Sequence, residues 1–481
     1  MGRLIGEIRD ASTGELVEAR VQVIGPDGQP TGPDGSMWKR GPGEPFFYSG
    51  GHFSVEVPRG YSRVLVERGT EFSPWREAVE VGSHGVAIDV QLERWGNLPE
   101  RGWHPGNTHI HYDELETDPD RRLLYDSRVE NLRMTAVSIL QRGGLPYATN
   151  RYPPGVLTEF TDTHHYVQSG EETRHNHDPN RPYDPGYGHV MLLNIRNIVD
   201  PVSSGLLVDA FSPDYPPLSY ACDNAAGQDG LVIWCHNGLG MEAPVAAALG
   251  KVHAMNLFDP FWTDVEYGFW YHMLNCGIRL PASSGSDWFV SSANRVYALS
   301  GETFSYETWL AAVREGRTFI TNGPALFVEV GGASPGETIE AQCGTDASVR
   351  VEWQSHYAVE RVEVVVNGNV RKAWNPRGDC RAGSRETVVT IDSDSWVAAR
   401  LSSGRRDSFG HPLWAHSSPV YISAGGRPPP SRGNSARYFT ERIDESMEWV
   451  RQKGKFYSDA QRNEVLDLHA AGREYYRNMQ D

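Results

Sequence analysis

Apolar and polar residues alternate along the first hundred positions. Leu4-Ile5-Gly6-Glu7-Ile8, Ala19-Arg20-Val21-Gln22-Val23, Phe53-Ser54-Val55-Glu56-Val57, Arg63-Val64-Leu65-Val66 and Val86-Ala87-Ile88-Asp89-Val90 are short runs separated by Gly, Pro and Asp. A period of two predicts half-buried strands, and residues 1–98 read as a β-sandwich. From 99 to 322 the apolar runs become continuous: 135–140, 190–195 and 231–234. Such runs suit parallel strands covered on both faces. Helical stretches lie between them, at 118–133 and 243–249. A further helix is capped by Ser305, carries Glu307 in its first turn and Trp309, Leu310 and Val313 as a stripe, and ends at Gly316. Strands alternating with helices predict an α/β barrel or wound sheet. After Thr321-Asn322-Gly323-Pro324 the alternation returns, and Asn367-Gly368 marks a hairpin. Residues 323–424 therefore read as a second β-sandwich. A Gly/Pro linker follows at 425–430, and two amphipathic helices complete 425–481. Their stripes (Ile443, Met447, Val450; Val465, Leu468, Tyr475) are expected to pack on the body or on a second copy in a homo-oligomer.

Charge and cysteine content narrow the chemistry. A formal net charge of −17 over 481 residues disfavours nucleic acid and anionic membranes as partners. No apolar run approaches the ~20 residues of a membrane-spanning helix. The chain passes from Met1 directly into a strand pattern, so no signal peptide is read and a cytoplasmic location is expected. The five cysteines are scattered and form no C-x-x-C, against both a disulfide framework and a zinc finger. Cys235 lies in an apolar run and reads as a buried small hydrophobe.

The candidate chemistry begins at Gly106-Asn107-Thr108-His109-Ile110-His111. On an extended segment alternate side chains share a face, so His109 and His111 reach one ion together. Further ligand types fall at later strand ends: Glu171-Glu172, His189 before an apolar run, His236 after one, and Asp287 in Gly285-Ser286-Asp287. Alone, His236 reads as a satisfied core histidine, Asp287 as a cap and the glutamates as a solvated turn. Together they match a mixed nitrogen and oxygen site for a divalent ion, zinc ahead of manganese or iron. His175-Asn176-His177 lies among polar residues and reads as a mobile loop, while Asp113 and Glu116 are candidate partners for the imidazoles of the first motif.

With these motifs in order, the chain resembles the PHP (polymerase and histidinol phosphatase) metallohydrolases, and more narrowly their CehA/McbA, carbaryl-hydrolase-like branch. The likeness covers residues 99–330 and rests on the H-x-H motif, Glu172-Thr173-Arg174, Tyr187-Gly188-His189, Gly277 to Asp287 and Gly316-Arg317-Thr318-Phe319-Ile320-Thr321-Asn322-Gly323-Pro324. Residues 1–98 also resemble the small regulatory β-sandwich of carboxypeptidases. The first resemblance implies a distorted (βα)7 barrel flanked by the two sandwiches. It implies one ion held by His109, His111, Glu172 and Asp287, with Glu172 bridging to a second held by His189 and His236. Two departures matter. Ser138-Ile139-Leu140 stands where the family has T-D-H, and Asp287-Trp288-Phe289 where it has D-x-H. Both missing histidines would serve a third ion, so one or two ions are expected and phosphoester chemistry is disfavoured. The amidohydrolase barrel also opens with H-x-H, but it needs a lysine before the later histidines, and Lys251 follows His236.

The expected function is metal-dependent hydrolysis of a small carbonyl substrate, a carbamate, ester or amide, by hydroxide generated from water on the metal. No G-x-S-x-G elbow supplies a serine nucleophile. His253 and His272 are candidate acids for the leaving group, set against a structural role for each. Trp262, Trp288 and Phe289 are candidates for an apolar substrate wall, with core packing as the competing reading. Arg174 and Arg295 are candidates for orienting a polar or anionic part, with ion pairing as theirs. The alternatives are a PHP-type phosphoesterase and a non-catalytic carbohydrate- or surface-binding protein.

Overall fold

In the computed structural model the described residues are 1–176, 186–258 and 267–480. Gly2–Asp10 pairs antiparallel with His52–Val57 and parallel with Val86–Leu92. A second layer joins Ala19–Ile24 to Gly60–Glu67 and Trp75–Val81. Alternation decides what is inside: Leu4, Ile8, Val21, Val55, Val57, Val64, Val66 and Val90 form one buried cluster. Each such side chain contributes about 1.5–3 kcal/mol on burial.

The middle of the chain forms a curled sheet. Trp103–His111 has Met134–Ile139 parallel on one side and Arg295–Leu299 antiparallel on the other. The order then runs through Tyr166–Asn176, Gly188–Leu193, Leu231–Trp234, Ala254–Asn256 and Ala282–Ser283. The sheet bends back toward its start. Thr108 Oγ1 donates to Asn256 Oδ1 at 3.1 Å and lies 3.0 Å from Ser283 Oγ. The chain leaving Ala282–Ser283 then pairs Asp287–Trp288 in parallel with Ile110 and His111. One expectation is corrected here. Gly188–Leu193 runs antiparallel to both neighbours. Burial on both faces keeps the strand apolar whichever way it runs, so the apolar run does not reveal its direction.

Helices Pro119–Val129, Leu218–Ala226, Ala243–Ala248, Gly268–Asn275 and Tyr306–Glu315 accompany these strands. The last starts where Ser305 Oγ accepts from Thr308 N and stops at Gly316, whose φ of 79° a side chain would strain.

The C-terminal strands form two facing layers around Leu326, Val349, Val351, Trp353, Val364, Val397 and Ile422. Hydrogen bonding crosses the boundary read at 322. Thr318–Thr321 pairs with Pro412–Ser417, so one layer continues directly from the middle sheet. Helices Arg432–Gln452 and Asp459–Arg477 pack on the body. Phe439, Ile443, Met447, Val450, Val465 and Tyr476 join the central core, and Tyr476 Oη donates to Pro244 O at 2.8 Å.

Candidate metal centre

Backbone geometry brings His109, His111, Glu172, His189, His236 and Asp287 together. His109 and His111 share a face of Trp103–His111, while Ile110 is buried in the cluster behind it. The Gly285-Ser286-Asp287 segment crosses that strand closely. A Cβ on Gly285 would lie 2.6 Å from His109 Cβ, so only glycine fits. Asn107 ties the two together: its Oδ1 accepts from His109 N and Ser286 N, and its Nδ2 donates to Ser286 Oγ at 2.7 Å. His236, Asn237 and Asp287 all have positive φ, at 52°, 56° and 58°. Strain of this kind, about 1–3 kcal/mol per residue, concentrates where side-chain direction matters.

Glu172 is shared by two groups of donors. Its Oε2 lies 2.6 Å from His111 Nε2 and 3.5 Å from His109 Nε2, which is itself 3.3 Å from Asp287 Oδ1. Its Oε1 lies 3.0 Å from His189 Nδ1 and 3.8 Å from His236 Nε2. In each group the donor atoms all fall within 4.8 Å of one another.

The hydrogen bonds behind the rings decide which nitrogens carry lone pairs. His111 Nδ1 sits 3.0 Å from Ser138 O, which can only accept, so Nδ1 holds the proton and Nε2 turns its lone pair to Glu172. His189 Nε2 donates to Asn176 Oδ1 at 2.7 Å, leaving Nδ1 as the lone pair beside Glu172 and His236. Lone pairs facing a carboxylate at such distances are the arrangement that a bound cation would satisfy. Burial pushes the Glu172 carboxyl up, yet the charge of Arg174 and the neighbouring imidazoles outweigh it and hold it well below the usual carboxylate range. Burial drives His189 down to about 3, so that ring is neutral at working pH. Glu172 Oε1 is buried without a hydrogen-bond partner of its own. Nitrogen and carboxylate donors in this ratio fit zinc, and also manganese or iron.

The neighbouring residues sort themselves. Glu171 faces the opposite side of the strand and accepts from Val199 N and Thr173 Oγ1. His175, read as part of a mobile loop, is instead a buried strand residue, 2.7 Å from Asp214 Oδ1 and stacked on Tyr187; the strand holds it because Asn176 still pairs with Gly205. His177 lies outside the described residues, as does Trp262. Asp113 and Glu116 do not reach the imidazoles: Asp113 accepts from Leu115 N, and Glu116 pairs with Arg122.

His253 stands away from the cluster. Its Nδ1 accepts from Val232 N at 3.0 Å, at the start of the strand whose far end carries His236, roughly 13 Å along at strand rise. Burial lowers its pKa to about 4, a structural histidine. His272 lies 2.9 Å from Ser435 Oγ, stacks on Tyr438, and shares with His236, Asn237, Phe269 and Arg442 a cavity of about 690 Å³. Trp288, register partner of His111, has its ring 5.4 Å from the imidazole and 5.3 Å from Tyr147. Phe289 does not line the site. It stacks on Tyr112 at 5.5 Å with the Arg122 guanidinium 5.2 Å away, because its φ of 55° turns it into the core. Arg295 is likewise structural: it donates to Glu130 O and Glu130 Oε2 and is 2% exposed. Ser138, Asn107 and Asn176, which bond to the candidate ligand segments, were not singled out in the sequence. Asn107 and Asn176 carried a signal, the even spacing that sets them on the faces of His109 and Glu172.

No protein-family model matches the chain, and no curated protein matches it. Among solved structures, the solution NMR structure of the CARDB domain of PF1109 from Pyrococcus furiosus is similar over 21% of this chain and 95% of that one, at 16% identity and a TM-score of 0.14. Among the described residues no helix is long and apolar enough to cross a membrane.

Proposed function

We propose that the chain is a metal-dependent hydrolase that cleaves a carbonyl substrate, a carbamate, ester or amide bearing an apolar or aromatic group. The observation that carries this reading is the sharing of Glu172 between two sets of inward-turned donors. His109, His111, Glu172 and Asp287 would hold one divalent ion; Glu172, His189 and His236 would hold a second. A divalent ion there supplies Lewis acidity, lowering the pKa of a water and polarising a carbonyl oxygen. The chain's own residues provide the setting. Ser138 and Asn176 fix the imidazoles, and Trp288 with Tyr147 offers a planar wall beside them. His272, on the wall of the cavity that reaches His236, is the acid candidate left by the geometry.

The resemblance to the CehA/McbA branch of PHP metallohydrolases supports the same reading, with a curled sheet as the scaffold. Where that family places further histidines, this chain has Leu140, fully buried with its backbone held by Asn150, and Phe289, turned into the core. A third ion therefore lacks ligands at these positions, which favours carbonyl over phosphoryl chemistry. The test is turnover of matched phenyl carbamate, acetate and phosphate by zinc-, manganese- and iron-loaded protein. Faster carbamate or ester cleavage, abolished by chelation, is expected. Preference for the phosphate would assign the centre to phosphoester hydrolysis.

A further inference from the structure

Arg174 is a buried cation whose charge acts on Glu172 but whose donors have no hydrogen-bond partner. It is 6% exposed, and its Nε and Nη2 are buried with nothing to donate to. Among the described residues no carboxylate pairs with it. Two buried guanidinium donors left without an acceptor are costly, and Glu172 makes no hydrogen bond to them, so the arrangement calls for a further acceptor.

Its position relates that anion to the metal centre. Arg174 lies two residues beyond Glu172 and two before Asn176, on the face that carries both toward the imidazoles. Its register partners are His189 on one side and Ser203 on the other. Ser203 Oγ is also buried and unpartnered. Tyr147, which feels the charge of both Arg174 and Arg142, packs on Trp288, and Trp288 packs on His111.

We propose that Arg174 and Ser203 form a subsite for a carboxylate carried by the substrate, attached to the planar group that lies on Trp288 and Tyr147. Nε and Nη2 are the two donors of one edge of the guanidinium, and that edge matches a carboxylate with two parallel hydrogen bonds. Arg174 acts on Glu172 by charge but makes no ion pair with it, so its two open donors are left for a group other than the metal-binding carboxylate. The substrate class narrows to carboxylate-bearing aryl esters or carbamates. The assignment of the reaction rests on the hydrolase reading; the assignment of the anion subsite does not.

The two are separated by a paired experiment. Zinc-loaded wild type, Arg174→Gln, Arg174→Lys and Ser203→Ala are titrated with benzoate and with benzamide by calorimetry, and kcat/KM is measured for phenyl acetate, carboxyphenyl acetate and phenyl phosphate. Zinc content is checked in each variant. Benzoate is expected to bind wild type more tightly than benzamide. Arg174→Gln should reduce that preference, and the charged-to-neutral ester ratio, about 10- to 100-fold. Arg174→Lys should retain part of both, and Ser203→Ala should lose a smaller part. Benzoate affinity unchanged in Arg174→Gln and Arg174→Lys would place the anion on the zinc and overturn the subsite. Dependence of phenyl phosphate but not carboxyphenyl acetate on Arg174 would also overturn it. Loss of benzoate preference in Arg174→Gln with no ester cleaved by any variant would uphold the subsite and reject the hydrolase.

Discussion

His111 Nε2 lies 2.6 Å from Glu172 Oε2 while the opposite nitrogen of the same ring is committed to Ser138 O. With Nδ1 carrying the proton, a neutral imidazole there turns a lone pair to the carboxylate it faces. The same logic holds at His189, whose outward nitrogen is committed to Asn176. Two rings fixed from behind thus converge on one carboxylate from opposite sides, an arrangement suited to coordination.

Asn176→Ala should weaken metal binding without touching a ligand. Removing an orienting partner of a ligating histidine typically costs about 10- to 100-fold in affinity. Competition of the variant against a chromophoric chelator measures it. The loss should fall on the more weakly held fraction of metal, the one assigned to His189 and His236.

Trp288 and Phe289 are adjacent but should behave differently. Phe289→Ala removes a buried ring from the Tyr112 stack and should destabilise by about 3–5 kcal/mol. Trp288→Ala, at a half-buried position beside His111, should cost less stability and raise KM for aryl substrates. Denaturant unfolding and steady-state kinetics on both variants separate the roles.

Arg295→Met should be strongly destabilising, about 3–5 kcal/mol, because it breaks a buried pair and leaves Glu130 less compensated. A thermal midpoint that falls by several degrees checks this. Retained stability with a raised KM would return Arg295 to the substrate site.

Stability should fall as pH drops below about 6.5. Burial holds His416 down at about 3 and His469 at about 4. The unfolded chain, with ordinary histidines near 6.5, takes up protons first, so stability is fully present above that value and lost toward the folded values. Protonation would break the bond that His416 Nε2 accepts from Tyr271 and bury a charge on His469, whose Nε2 has no partner. Each group steepens the slope by up to about 1.4 kcal/mol per pH unit. Urea unfolding across pH 4 to 7 should give a shallower slope for His469→Leu than for wild type.

The parts of this molecule legible in the sequence are those where one residue's type fixes its side. Alternation separated Leu4 and Val55 from their outward neighbours, and Ser305 with Gly316 marked both ends of a helix. The candidate ligand set was legible from position: His109 and His111 share a strand face, and His189 and His236 border apolar runs. Strand direction was not: residues 190–195 record burial on both faces, which parallel and antiparallel strands share. Phe289 was misread because adjacency to Asp287 was taken for proximity to the site, while for Arg295 the ion-pair reading is the one that matches its bond to Glu130. The positive φ values at Asp287 and Phe289, which no side-chain pattern encodes, turn the chain away. The boundary at 322 marks a change of pattern, yet the Thr318–Thr321 strand pairs across it.

The claim that one carboxylate serves two groups of donors is tested most directly by metal content. Protein purified in zinc and freed of loosely held ions should contain about two zinc per chain by mass spectrometry, and His189→Ala about one. Glu172→Ala should lose nearly all, although it removes a single residue. A Glu172→Ala variant that keeps the wild-type zinc content would contradict the account.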